Sequence, residues 1–550
     1  MIQFEEQKLG EQKLIDIFEQ HKVEFLFKTA TNQSFFCNTD HHFTVEFIHD
    51  QAAIHAADGY SRTTGKIGVG WLTSESGVTN AVTSLGTAQL DSVPLVIFIE
   101  HQRNSIDQQL DVDGLTKSMT KYNFTANSIN ELIPMTKAAF KIAQTGRPGI
   151  VVIDFNRQIL RQTYEGDQQI HIDQLNQEFT QKEIPRHIIE QLPALIAQAK
   201  QPVIIVGGGC VISNAHHALA NFLAKTQIPF VSTLMGLGAV NADHPLHLGM
   251  IGMHGTFAAN RAVHQADLLI CLGVRFSDRI TGNIKGFSPN SLKVQIDIDP
   301  VEINKLIDVE YPIVGDVNAA LTQLNHLNLK RTNSDWLKTV MSWHKKSAQF
   351  HKAKNKLIDP GAIIRLLNKY ANNDAIVSTD VGQHQMWTAH HFSFQKPRSF
   401  LTSGGFGTMG YGLPAAIGGA MAKPNQQVIC ISGDGSFQMN LQELLTAVRY
   451  QLNIKIAIFK NGYLGMVRQW QQLFYERHYS QVQISSPDFV KLAESYGVIG
   501  LAAETIDQAN EIIKKAMEVK GPVLMTFTIE DELNVFPIVP PGGNNTDALQ

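Results

Sequence analysis

Short runs of apolar, mostly β-branched residues recur along this chain, separated by longer stretches with helical spacing, and that alternation limits the fold more than any other feature. The runs are PLVIFIE, GIVVIDF, PVIIVGGG, DLLICLGVRF, KVQIDID, AIVSTD, QVICISGD, KIAIFKN and PVLMTFTI. Strands that are apolar throughout are buried on both faces, and strands alternating with helices pair in parallel. Two polar stretches break the rhythm, at about 160–190 and about 326–360, and read as linkers. A length of 550 residues also exceeds what one hydrophobic core serves. The expected architecture is α/β: three consecutive doubly wound parallel-sheet domains over residues 1–165, 185–330 and 355–545. Each sheet can bind ligands at its strand ends.

Charge and cysteine content exclude several functions. With 46 basic against 50 acidic residues, nothing favours nucleic acid or an anionic membrane as partner. Cys37, Cys210, Cys271 and Cys430 lie far apart without a CxxC pair, which argues against zinc and against a disulfide framework. The charged start MIQFEEQKLGEQKLIDIF lacks the apolar core of a signal peptide, and no 18-residue apolar run occurs. A reducing cytoplasm is the expected location.

The most specific motif is GDGS at 433–436, directly after the apolar run QVICI, with Asn461 standing 27 residues past Asp434 at the end of KIAIF. An Asp and an Asn at two strand ends of one sheet can converge on a hard cation, with a backbone carbonyl as third oxygen ligand, and the cation can grip a diphosphate. Gly433 and Gly435 let the backbone approach phosphate oxygens, and the helix start near Ser436 adds positive potential. A lone GDG is a common turn; the spacing and the following NGYLG set this one apart. Oxygen ligands alone suggest Mg²⁺. A second stretch, FIHDQAAIHAADGY at 47–60, puts Asp50 ahead of small helix formers, where it is either a reactive carboxylate or a helix N-cap.

The segment GDGSFQMNLQELLTAVRYQLNIKIAIFKNGYLGMVRQW resembles the thiamine-diphosphate motif of acetohydroxyacid synthase (acetolactate synthase) catalytic subunits, a resemblance that runs along 375–545. It implies Asp434, Asn461 and the carbonyl of Tyr463 as metal ligands. VGQHQMW is similar to the family's diphosphate-contacting segment, implying Gln383 and His384, and GFGTMGYGLPAA contains Gly407 and Met409, the latter supporting the folded cofactor. GMIGMHGTFAANRAV, GVRFSDRITG and IDIDPVEINK resemble an FAD-binding domain. They imply Gly252, Met253, His254, Gly255, Thr256, Arg275, Asp278, Asp297 and Asp316 around a flavin. By the same resemblance Arg279 binds the carboxylate of a second ketoacid, a task that suits a guanidinium fork, and Met466 and Trp470 shape the acceptor pocket. A PPG segment near the C-terminus is similar to the family's closing segment.

HAADGYSRTTGKIGVGWLTSESGVTNAVTSLGTAQLDSVPLVIF resembles the pyrimidine-binding domain, so Asp50 aligns with a catalytic glutamate and Gln108 is kept. That implies a carboxylate which bonds to a pyrimidine nitrogen of the cofactor and so relays a proton away from the thiazolium carbon. Departures gather here: KTATNQ stands where YPGG is expected, SESGVTN for SGPGATN, Asp107 for a phenylalanine, and Arg157 for a lysine. The resemblance implies condensation of pyruvate with pyruvate or 2-oxobutyrate toward branched-chain amino acids. It also implies a homodimer or tetramer with active sites between subunits, and a small regulatory subunit. Two other readings stay open: a diverged thiamine-diphosphate decarboxylase or carboligase with another acceptor, and a weakly active cofactor-binding paralogue.

Overall fold

The computed structural model describes residues 9–29, 44–101, 110–166, 183–330, 334–347 and 358–549. Three six-stranded sheets run along it, and the strand pairs with a resolved register are parallel. All nine apolar runs form strands, among them Leu95–His101, Ile150–Asn156, Leu268–Leu272, Val428–Gly433 and Ile454–Lys460.

The first sheet is ordered Thr44–Phe47, Leu26–Thr29, Gly68–Leu72, Leu95–His101, Ile150–Asn156, Tyr122–Ala126. The third is Phe400–Leu401, Ile376–Thr379, Val428–Gly433, Ile454–Lys460, Val523–Thr528, Ile499–Ala503. Numbered within each sheet, both read 2-1-3-4-6-5, so the crossover reverses between strands one and three, where such sheets bind ligands. The middle sheet, Tyr311–Val314, Leu292–Asp297, Leu268–Leu272, Pro202–Val206, Phe230–Ser232, His247–Met250, reads 6-5-4-1-2-3, the order of dinucleotide-binding folds.

By contacts the chain divides into two compact units. One combines residues 1–180 with 403–428 and 438–454; the other holds 181–402, 429–437 and 455–550. In the first, helix Asp50–Thr64 packs its small residues against helix Gly412–Ala422. The approach is backbone to backbone: a Cβ on Gly59 would lie 2.2 Å from the Ala415 oxygen, and one on Gly418 1.9 Å from the Ala56 oxygen. Glycine is required at both. A buried ionic network supports the same contact, with Arg62 bridging Asp58 at 2.6 Å and Asp91 at 2.9 Å while the Tyr411 hydroxyl donates to Asp58 at 2.6 Å.

One sequence expectation needs correction. The stretch 326–360 is not simply a linker, because helix Ser334–Ser347 lies within it and packs on helix Phe257–Gln265. Trp336 and Val340 are buried one turn apart, and the Trp336 indole donates to the Pro202 carbonyl at 3.0 Å.

Candidate active site

In the second unit the third sheet brings together the residues after its first, third and fourth strands. Asp434 opens the short helix Asp434–Phe437 and is 1 % exposed. Its Oδ2 accepts from the Gly462 amide and from the Ser486 hydroxyl, each at 2.8 Å. Burial pushes its pKa up, against the opposing effect of these hydrogen bonds; a cation beside it would restore the charged form. Asn461 Oδ1 accepts from the Tyr463 amide at 3.0 Å, which leaves one lone pair on the amide oxygen and the Tyr463 carbonyl beside it in sequence. Among the described residues no cluster of three or more His, Cys, Asp or Glu could hold a metal, so a cation here relies on this mixed oxygen set.

Across the switch point, Gln383 and His384 begin helix Gln383–His391 and are both buried. The Gln383 amide donates to Gln469 Oε1 at 2.8 Å and to the Leu533 carbonyl at 2.7 Å, while its own Oε1 has no partner among the described residues. Nor has His384 Nε2. Burial pushes the His384 pKa down to about 3, against the effect of a hydrogen bond to the Asp380 carbonyl. A Cβ on Gly433 would lie 3.0 Å from the His384 ring, and one on Gly465 2.2 Å from Gln383 Oε1. Two orphaned polar atoms, a buried carboxylate and glycine-lined backbone fit a metal-bound diphosphate. Ser436 closes the turn, its hydroxyl accepting from the Gly433 amide at 3.2 Å; Gly435 is half-buried.

The first unit holds Asp50, Gly407 and Met409. The N-cap of helix Asp50–Thr64 is His49, whose Nδ1 accepts from the Gln51 amide at 3.2 Å. Asp50 is therefore not the cap. Its carboxylate accepts from the Thr29 hydroxyl at 2.8 Å and from the Asn80 side chain at 3.2 Å, linking the ends of the first two strands to the helix after the third. Gly407 has φ 74°, and its amide and that of Thr408 donate to the Ser403 hydroxyl at 3.1 and 3.0 Å; Met409 is half-buried. Gln108 lies outside the described residues, as does Cys37, while Cys210, Cys271 and Cys430 are free and buried. Arg157 pairs with Glu100 at 3.1 Å, and the Trp71 indole donates to the same carboxylate at 2.8 Å. Arg157, one of the departures, is thus half-buried and tied to the buried Glu100 and Trp71.

In the middle sheet, Gly207 and Gly273 meet at the reversal, where a Cβ on Gly207 would lie 2.0 Å from the Gly273 oxygen. The two flavin-implied loops are adjacent, since the Met253 amide donates to the Arg279 carbonyl at 2.7 Å and Gly252 has φ 113°. Buried His254 hydrogen-bonds the Pro537 carbonyl at 3.2 Å, and burial pushes its pKa down to about 4. The remaining residues share local structural duties. Thr256 caps helix Phe257–Gln265, Asp316 caps helix Val317–Asn325 and Asp297 accepts from the Asp299 amide at 3.0 Å; Gly255 sits tight against Asn260. Arg275 is half-buried, Asp278 and Arg279 are exposed. Met466 packs on the third core, and Trp470, one turn on, stacks edge-on with Phe474 at 5.3 Å. Half-buried Trp470 is thus neither pure core nor free surface.

Thr29, Asn80, Ser486 and Gln469 were missing from the sequence reading. Thr29, Asn80 and Gln469 lie within KTATNQ, SESGVTN and the segment ending RQW, where nothing local marks the partner each meets, and Ser486 lies outside every quoted segment.

Comparison with known proteins agrees with this geometry. Residues 9–122, 189–324 and 380–527 match the N-terminal TPP binding domain, central domain and C-terminal TPP binding domain of thiamine pyrophosphate enzymes. The chain is 42 % identical over 509 residues to the acetolactate synthase isozyme 2 large subunit of Escherichia coli (strain K12), covering 91 % of each chain. It is 41 % identical over 572 residues to a probable acetolactate synthase large subunit of Methanococcus aeolicus, covering 98 % of this chain and 95 % of that one. Identity is 41 % over 513 residues to the acetolactate synthase large subunit of Buchnera aphidicola subsp. Schizaphis graminum (strain Sg), covering 90 % and 89 %.

Proposed function

The chain belongs to the acetolactate synthase large-subunit family of thiamine pyrophosphate enzymes, and from that premise we propose that it joins the two-carbon unit of pyruvate to a second 2-ketoacid, giving acetohydroxy acids for branched-chain amino-acid synthesis. The observation that carries this is the buried Asp434, with Asn461 at the next strand end, and across the switch point Gln383 Oε1 and His384 Nε2, which have no partner among the described residues. Thiamine diphosphate, when bound, supplies a carbon nucleophile that takes up the acyl carbon of a 2-ketoacid as carbon dioxide leaves.

The chain's own residues then divide the work. Asp434, Asn461 and the Tyr463 carbonyl hold Mg²⁺, and Gln383, His384 and the Gly433–Ser436 turn hold the diphosphate. Asp50 holds a proton at the pyrimidine nitrogen. The resemblance assigns Gln108, Gly407 and Met409 to the cofactor as well. The exposed Arg279 can offer its fork to the acceptor's carboxylate, with Met466 and Trp470 as the apolar wall that separates pyruvate from 2-oxobutyrate. FAD suits the middle sheet's strand order and glycine-lined reversal, where it serves a structural purpose, since the reaction transfers no net electrons. Domains at 1–165, 185–330 and 355–545, a cytoplasmic location, a homodimer or tetramer and a small regulatory subunit complete the reading; the relatives are themselves named large subunits. Among the described residues no helix is long and apolar enough to cross a membrane.

Product analysis with pyruvate alone and with added 2-oxobutyrate tests the proposal. Acetolactate in the first case and acetohydroxybutyrate in the second are expected. Acetaldehyde as sole product would replace carboligation by simple decarboxylation, the second reading.

A further inference from the structure

An aspartate reaches about one C–C bond, ~1.5 Å, less far than a glutamate, so an activating carboxylate at residue 50 works only if its backbone is set forward and held there. The backbone just before it is held by side chains from the stretch between the two side-chain metal ligands. The Glu46 amide donates to the Tyr450 hydroxyl at 2.8 Å, and the Glu46 carboxylate pairs with Arg449 at 2.8 Å. The amides of Ile48 and His49, in the bend that leads into helix Asp50–Thr64, both donate to one carboxylate, Glu443, at 3.4 and 3.1 Å. Glu443 is itself fully buried and is oriented by the Thr446 hydroxyl at 2.5 Å. Two successive amides on one buried carboxylate fix the direction of the chain, and among the described residues no backbone carbonyl takes these two donors.

We propose that Glu443, assisted by Tyr450, is a positioning residue for Asp50, clamping residues 46–49 so that the shorter carboxylate meets the cofactor's pyrimidine nitrogen. Arg449 contributes little, because its own side chain is largely exposed. The inference rests on the reading of Asp50 as the activating carboxylate, and the experiment separates the two.

Two readouts are used. In the cofactor-free protein, amide hydrogen exchange of the peptide containing Ile48 and His49 should quicken in Glu443→Ala, while the peptide around Asp434 keeps its rate. In protein loaded with thiamine diphosphate and Mg²⁺, deuterium exchange at the thiazolium carbon, followed by NMR, should slow by about 10²-fold in Glu443→Ala. Tyr450→Phe, which keeps the ring and is the recourse if Glu443→Ala does not fold, should slow it by about 5-fold. In an Asp50→Asn background neither substitution should slow it further, because a residue that acts through Asp50 has nothing left to position. Equal slowing in both backgrounds, or unaltered thiazolium exchange in Glu443→Ala and Tyr450→Phe, would overturn the clamp. Unaltered exchange in Asp50→Asn itself would overturn the reading beneath it, and the clamp with it.

Discussion

The first and third sheets share one strand order and offer ligands the same reversal point, yet their strand ends carry different chemistry. In the third, Asp434 is almost wholly buried, and burial raises its pKa, so the carboxylate favours a cation. In the first, Asp50 is half-buried and takes its hydrogen bonds from neutral side chains, Thr29 and Asn80, as suits a group that must give and take a proton. The comparison teaches that one topology can place a carboxylate at the same switch point in two degrees of burial, and on the proposed reading that difference separates the metal ligand from the proton carrier.

The largest expected effect falls on the third sheet. Asp434→Ala should weaken thiamine diphosphate binding, measured by calorimetry with Mg²⁺ present, by more than about 10²-fold, the range reached when only a metal's outer partners are lost. Asp50→Ala should leave that affinity within a few-fold; equal losses would erase the distinction between the two carboxylates.

Next comes the glycine contact of the first unit. Gly418→Ala places a Cβ 1.9 Å from the Ala56 oxygen and should destabilise the protein by about 1–3 kcal/mol, read as a lower thermal midpoint.

A third test compares buried histidines, one from each sheet's domain. Burial pushes both His55 and His384 down to about 3. The unfolded chain then binds more protons below its pKa of about 6.5, so this stability is fully present above that pH and is lost as pH falls from there toward about 3, by about 1.4 kcal/mol per unit and histidine. Both His55 nitrogens lack partners, so His55→Leu should flatten the acid limb of thermal stability and spare cofactor binding. His384→Leu should flatten it too, but weaken the cofactor. The smallest effect is expected at Trp470→Leu, which should shift the 2-oxobutyrate to pyruvate product ratio by about 5-fold, the equivalent of one buried methylene.

What was legible in the sequence follows the same contrast. Long apolar strands such as Leu95–His101 announce themselves, whereas Thr44–Phe47 and Phe400–Leu401 are too short to show a pattern. Helix Ser334–Ser347 was hidden by its polarity, with Trp336 and Val340 marking its buried side. Asp434 and Asn461 were legible because one strand–helix–strand unit sets their spacing. Thr29 and Asn80 meet Asp50 from 21 and 30 residues away, Ser486 meets Asp434 from 52, and Glu443 meets His49 from 394. Such convergence depends on tertiary packing: Thr29, Asn80 and Glu443 lie in quoted segments, yet nothing local names the partner each meets. The helix-cap reading of Asp50 failed because His49, one residue earlier, takes that place.

The central claim, that Asp50 activates the cofactor from a position normally given to a longer carboxylate, is tested most directly by deuterium exchange at the thiazolium carbon of bound thiamine diphosphate. Asp50→Asn should slow that exchange by ~10²- to 10⁴-fold, and Asp50→Glu should equal or exceed the parent. Exchange in Asp50→Asn as fast as in the parent would contradict the account.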